Sequence, residues 1–233
     1  MKHVHYKRIL PMVFLLCLLC ITQSCSKNDE PFEDPILKVG VFGGSVSSAP
    51  ESEIAKSEWT ANLNIEVITC GVAGAGFSSL TGNCVPTQIE QAEVFDVYIL
   101  WASTNDVDKS TIGDLDLDVK DETTQAGGIM KSVEIIKQKN SKALILFFTS
   151  LPRFDAVLYT ENIPLFVESQ IYLCERERIP YLDQYHLFIF DRSNYGLFYL
   201  PDLIHLNEDG YGHIATKQME FIRKHIENYN FRK

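Results

Sequence analysis

Apolar positions in this chain fall into short continuous runs separated by segments with helical spacing. Leu37, Val39, Val41 and Phe42 form the first run, with Pro31 and Pro35 upstream and Gly43-Gly44 downstream. A β-branched run between such breakers predicts a buried strand. From Pro50 to Leu63, charges alternate with Ile54, Ala55, Trp59 and Leu63 at helical spacing, and Pro50, Glu51 and Glu53 suit a first turn. Ile65 to Cys70 returns to β-branched residues and completes a β-α-β unit. A glycine-rich loop, GVAGAGFSS, follows, then a short helical stretch from Pro86 to Val94. Phe95 to Ala102 and Ala143 to Thr149 are nearly continuous in apolar residues, as strands buried on both faces are. One helix is predicted from about Thr124 to Lys139 on Ile129, Val133 and Ile136. Another is predicted from Asn162 to Arg178, with Pro164 in its first turn. A fifth strand falls around Pro180 to Leu182, residues 184 to 206 are irregular and aromatic, and a closing helix starts after Asn207 and runs on Ala215, Met219, Ile222 and Ile226. Strands alternating with helices imply an α/β fold, a three-layer α/β/α sandwich around a five-stranded parallel sheet. A chain of 233 residues holds one such domain.

Residues 1–36 depart from this pattern. Lys2, Lys7 and Arg8 precede an apolar run from Ile9 to Ile21 and the small residues Thr22 and Ser24, the organisation of a secretory signal over residues 1–24. The run is shorter than the roughly 20 residues that cross a bilayer. Cys25, trailed by SKNDEPFED, resembles the lipidation site of a bacterial lipoprotein, although Thr22 stands where an aliphatic residue is usual. Residues 25–36 then form a lipidated tether and residues 37–233 the domain. The expected location is outside the cytoplasm, lipid-anchored at the bacterial outer membrane. Cleavage before Cys25 leaves 18 basic against 31 acidic residues, a net charge of about −13. Such a surface repels nucleic acid and anionic lipid, so neither is an expected partner apart from the membrane held by the anchor itself. Cys70, Cys84 and Cys174 remain in the mature chain. None of these three belongs to a CxxC and no histidine neighbours them in sequence, which argues against zinc. A Cys70–Cys84 bridge and free buried thiols both stay open.

Candidate chemistry gathers where strands end. Ser45 follows the first strand, Gly71-Val-Ala-Gly74-Ala-Gly76 the second, and Ser103-Thr-Asn105-Asp106 the third, while Asp202-Leu-Ile-His205 lies just before the closing helix. A nucleophilic serine needs a base, a carboxylate to orient the base, and donors for the oxyanion. The chain offers each. Ser45 is the candidate nucleophile, His205 the base and Asp202 its orienting carboxylate. The N–H groups of Ser45 and Gly74, with the Asn105 side chain, are the candidate oxyanion donors. His213 is a weaker rival base, since it lies inside the predicted helix with no acid three residues before it.

In this order and placement the residues resemble the SGNH hydrolases, also called the GDSL esterase family, from Leu37 to Ala215. The family's Gly-Asp-Ser block is matched by Gly43-Gly44-Ser45, with glycine for the aspartate. Its second block matches at Gly74. Its Gly-x-Asn-Asp block is matched by Ser103-Thr104-Asn105-Asp106, with serine for the glycine. Its Asp-x-x-His block fits PDLIHLNEDGYGHIA without departure. The resemblance implies a flavodoxin-like sheet, no cofactor and no metal, and a serine esterase working through an acyl-enzyme on Ser45. Lipid-anchored members of this group resemble carbohydrate esterases that remove acetyl groups, so short acyl esters of glycans are the expected substrates. A catalytically silent carbohydrate-binding relative, a lipase, and an acyltransferase using the same serine are the alternatives.

Other motifs fail on spacing. GVAGAG orders its glycines G-x-x-G-x-G, not the G-x-G-x-x-G of a dinucleotide loop. Asp114, Asp116 and Asp118 begin like a calcium loop, but Val119 replaces its glycine and Gln125 its bidentate glutamate. They belong instead to an acidic loop from Asp108 to Gln125 that favours water over lipid.

Overall fold

The computed structural model describes residues 36–115, 121–229 and 231. The signal, the Cys25 tether and the centre of the acidic loop lie outside the described residues. Strands β1 (Leu37–Gly43), β2 (Ile65–Thr69), β3 (Val97–Trp101), β4 (Leu144–Phe148) and β5 (Tyr181–Leu182) form one sheet. Its order is β2-β1-β3-β4-β5 and every pairing is parallel, the flavodoxin order.

Strand periodicity sorts side chains onto two faces. Val39, Val41, Val97, Ile99, Trp101, Leu144, Leu146 and Phe148 meet α2 (Glu53–Asn62) and α8 (Glu208–Asn228) through Trp59, Tyr211, Ile214 and Ile222. On the other face Phe42, Tyr98, Leu100, Ile145 and Phe147 meet α3 (Val85–Gln91), α4 (Gln125–Lys139) and α5 (Val157–Glu177) through Ile89, Ile129, Ile136 and Leu173. Both faces of β3 and β4 are buried, which is why their sequences show no polar alternation. Each large side chain removed from water in these layers contributes roughly 1.5–3 kcal/mol.

Three elements differ from their sequence-based expectation. Helix α5 begins at Val157, so Pro164 lies inside it instead of in its first turn. Tyr159, Ile163 and Val167 explain the extension, because they stack one above another in a small core of their own that offsets the lost backbone bond. The aromatic segment after β5 contains two short helices, α6 (Gln184–Leu187) and α7 (Tyr195–Phe198), and an antiparallel bridge between Tyr199 and Leu206. A further turn of helix, α1 (Ser45–Ser48), precedes the 3-10 turn at Pro50–Ser52. Cys70, Cys84 and Cys174 are all free thiols, which removes the bridge from the two options.

Candidate active site

The carboxyl ends of β1, β2 and β3 converge on one backbone position. A Cβ added at Gly44 would lie 2.6 Å from the Ala75 carbonyl oxygen, 2.8 Å from Ser103 Cβ and 2.9 Å from Asn105 Nδ2. Glycine is therefore required at 44 by packing, and the departure from the family's aspartate follows from what the neighbouring loops already place there. Gly43 is gripped by Gln88, whose amide accepts from Gly43 N–H at 3.1 Å and donates to its carbonyl at 3.0 Å. This clamp holds the end of β1 still while α1 starts at Ser45.

From that position Ser45 Oγ and His205 Nε2 are 2.8 Å apart, and His205 Nδ1 and Asp202 Oδ2 are 2.7 Å apart. The Asp202–His205 half is local. Asp202 Oδ1 accepts the N–H groups of Ile204 at 2.9 Å and His205 at 3.0 Å. Closing that turn places Leu203 at φ 59, a conformation that disfavours leucine and costs of order 1–2 kcal/mol. Burial opposes ionisation of Asp202, but the bonds from the His205 ring and from the His205 and Ile204 N–H groups outweigh it and hold the carboxyl below the usual range. A carboxylate on Nδ1 sets the imidazole tautomer with Nε2 as acceptor for the serine proton.

The Ser45–His205 half is long-range, and Tyr211 secures it. Its buried hydroxyl donates to the carbonyl of Val46 at 2.7 Å, tying the helix after His205 to the residue after Ser45. Nothing in the sequence singled out Tyr211. His213, the rival candidate, is engaged elsewhere: its ring stacks on Phe198 with centroids 4.9 Å apart and packs on Phe188 and Phe190.

The candidate oxyanion donors come from all three loops. Among the described residues no hydrogen bond uses the N–H of Ser45 or of Gly74, and Gly74 has φ 81, open to glycine and unfavourable for other residues. Asn105 Nδ2 lies 2.9 Å from the Ala75 carbonyl and 3.1 Å from Ser103 Oγ.

Asp106 holds the glycine loop in place. Fully buried, it accepts the N–H groups of Phe77 and Ser78 at 2.9 Å each, and a Cβ on Gly76 would strike its carboxylate. Burial pushes its carboxyl up against the lowering effect of those bonds and of Gln125. In Asp106→Asn the amide nitrogen must face one of the two N–H donors, and leaving that donor unsatisfied should cost about 1–3 kcal/mol in urea unfolding. Because the folded-state pKa is raised, ionisation opposes folding. Wild-type stability should fall as pH rises from the ordinary carboxylate range through the raised value, and the variant should lack that fall. An unchanged unfolding midpoint in Asp106→Asn would remove Asp106 from this role.

A second Asp-x-x-His escaped the sequence reading. Asp183 and His186 repeat the local bonds of Asp202 and His205, with the ring 2.7 Å from the carboxylate and the histidine N–H bound at 3.2 Å. Among the described residues, its Nε2 meets no serine hydroxyl.

A doubly wound parallel sheet with Ser45 after its first strand, in hydrogen-bonded series with His205 and Asp202 from the turn before α8, is the arrangement that acyl hydrolases with a doubly wound α/β sheet present. The sequence profile of the GDSL-like lipase/acylhydrolase family matches residues 41–213, and the chain belongs to that family. Among solved structures, a possible lipase from Chitinophaga pinensis DSM 2588 superposes with TM-score 0.64 at 20% identity, over 81% of this chain and 98% of that one. The lipase/acylhydrolase from Enterococcus faecalis gives 0.58 at 16% identity, over 85% and 100%. An inhibitor-bound aryl esterase from M. smegmatis gives 0.56 at 14%, over 81% and 99%. At these identities the likeness speaks to the fold. A comparison with curated proteins finds no match.

Proposed function

We propose that the protein is a serine esterase that removes short acyl groups, acetyl foremost, from carbohydrate esters. The observation that carries the reading is the unbroken series Asp202–His205–Ser45, at 2.7 and 2.8 Å. Ser45 Oγ attacks the ester carbonyl as its proton passes to His205 Nε2, and the C=O π electrons move onto oxygen to form the oxyanion. Ser45 N–H, Gly74 N–H and Asn105 Nδ2 are the donors that would receive that charge. Collapse expels the sugar alcohol, which takes the proton from the imidazolium and leaves Ser45 acylated. Water then repeats the sequence and releases the carboxylic acid.

The substrate side rests on charge. Asp108, Asp114, Asp121 and Glu122, in the described parts of the acidic loop that follows Asn105, are exposed, and the whole chain carries a formal charge of −10. Both disfavour anionic surfaces and leave neutral acylated glycans as the better match, within a screening distance of about 10 Å at 0.1 M salt.

A lipase is the second reading, and one observation favours it. Ile189, Leu197 and Val157 are 77%, 65% and 61% exposed, all between β4 and the turn carrying His205. Beside them lies a cavity of about 240 Å³ lined by Phe154, Ile163, Tyr185 and Phe188. Phe154 N–H is bonded to the Leu203 carbonyl at 3.0 Å, so the cavity wall is tied to the turn that carries His205. Acyl-chain length separates the two readings. The esterase should hydrolyse p-nitrophenyl acetate faster than the decanoate and release acetate from an acetylated neutral polysaccharide. A preference for the decanoate, or activation by lipid micelles, would make the lipase the correct reading.

A further inference from the structure

We propose that Ser103 is a positioning residue that orients the Asn105 amide toward the oxyanion, an assignment that rests on the esterase reading above. Ser103 stands where the family pattern has glycine, and its side chain is buried, with 3% of the residue exposed. Its hydroxyl donates to the Ala75 carbonyl at 2.6 Å. Asn105 Nδ2 lies 2.9 Å from that same carbonyl and 3.1 Å from Ser103 Oγ. A carbonyl only accepts, so the nitrogen of the Asn105 amide must be the atom that faces it.

The three distances decide how the two amide hydrogens are used. Sides of 2.9, 3.1 and 2.6 Å make the two acceptors subtend about 51° at Nδ2. The two N–H bonds of a planar amide diverge by about 120°, so two acceptors so close together cannot each take a hydrogen of their own. They share one. The other N–H has no partner among the described residues, and it belongs to a nitrogen 2.9 Å from where a Gly44 side chain would begin, next to Ser45. Without the hydroxyl, the Ala75 carbonyl alone restrains the amide, and rotation about the last side-chain torsion can carry the free N–H off its target.

The same contacts join the two departures from the family pattern into one. A Cβ at position 44 would lie 2.8 Å from Ser103 Cβ, so side chains at both positions cannot share this space. Here the side chain sits at 103, where its hydroxyl reaches Asn105.

The experiment is a double-mutant cycle with a spectroscopic arm. Ser103→Ala should lower kcat for p-nitrophenyl acetate about five- to tenfold, the worth of one neutral hydrogen bond, with KM within about twofold. Asn105→Ala should cost about 10²–10³-fold in the wild type and several-fold less in the Ser103→Ala background, because the amide there is already misdirected. Ser103→Gly, which carries the family's own residue, should reproduce the Ser103→Ala kinetics. Additive losses, or a loss confined to KM or to unfolding stability, would overturn the positioning role. The Asn105 side-chain amide resonances, assigned by their disappearance in Asn105→Ala, test the contact without activity. One proton should exchange slowly with water and one rapidly in the wild type, and the difference should shrink in Ser103→Ala. Persistence of the full difference would also overturn the proposal. If the wild type hydrolyses no ester while the difference is present and shrinks as expected, the esterase reading fails and the contact stands.

Discussion

Ser45→Ala is expected to lower kcat for ester hydrolysis by up to about 10⁶-fold, and His205→Ala by a similar amount, since a nucleophile and its base act as one unit. The structure explains why folding should survive both changes. Ser45 is half-buried, its hydroxyl bonds to the His205 ring at 2.8 Å, and the backbone around it is held by other groups. Gln88 grips Gly43 and Tyr211 grips Val46 on either side. Removal of the hydroxyl therefore leaves the imidazole nitrogen to water and opens no cavity in the core, and the urea midpoint should move by no more than about 0.5 kcal/mol equivalent. A fluorophosphonate should label the wild-type serine and not the alanine variant. Wild-type turnover by Ser45→Ala, with the fold intact, would end the assignment of the nucleophile and favour a different role for this surface.

Asp202→Asn is expected to lower kcat on the order of 10⁴-fold, more than its half-exposed position suggests. The carboxylate accepts three bonds at once, one from the ring and two from the backbone N–H groups of Ile204 and His205. An asparagine has one oxygen to offer. If that oxygen keeps the backbone turn, the amide nitrogen faces His205 Nδ1. The imidazole must then accept there and carry its proton on Nε2, facing Ser45 with nothing to receive the hydroxyl proton. The variant should also differ in its acid response. Asp202 has its carboxyl held below the ordinary range, so its contribution to stability is present above the unfolded-state pKa and is lost as pH falls through the lower folded-state value. Urea midpoints followed downward from neutral pH should therefore converge for wild type and Asp202→Asn. Retention of more than about a tenth of wild-type kcat by the variant would show that Asp202 does not set the tautomer.

What the sequence determined by itself is what adjacent residues can settle. Apolar runs between breakers located all five strands to within one or two residues of their ends, most plainly β3 and β4, which are buried on both faces and have no polar positions to confuse the pattern. Thr124 and Asn207 were readable as helix starts, and each accepts the N–H three residues on, from Gly127 and Gly210. The Asp-x-x-His pair was readable for the same reason, since three residues of turn are enough to bring the carboxylate to the ring.

The limit of that reading lies in the second copy of the pair. Asp183–His186 and Asp202–His205 have the same spacing and the same 2.7 Å contact, so that contact alone does not rank them, although Asp202 also accepts the Ile204 N–H and is followed by the Asn207-x-x-Gly210 helix start. The tertiary structure shows which of the two meets a serine. The β2-β1-β3-β4-β5 order and the Tyr211–Val46 bond bring a serine 160 positions away against His205, and none of the described residues brings one against His186. Packing likewise decided where α5 starts, why position 44 must be glycine and why a serine can stand at 103. Each of these depends on which side chains from distant strands compete for one volume, a quantity that no spacing along the chain contains.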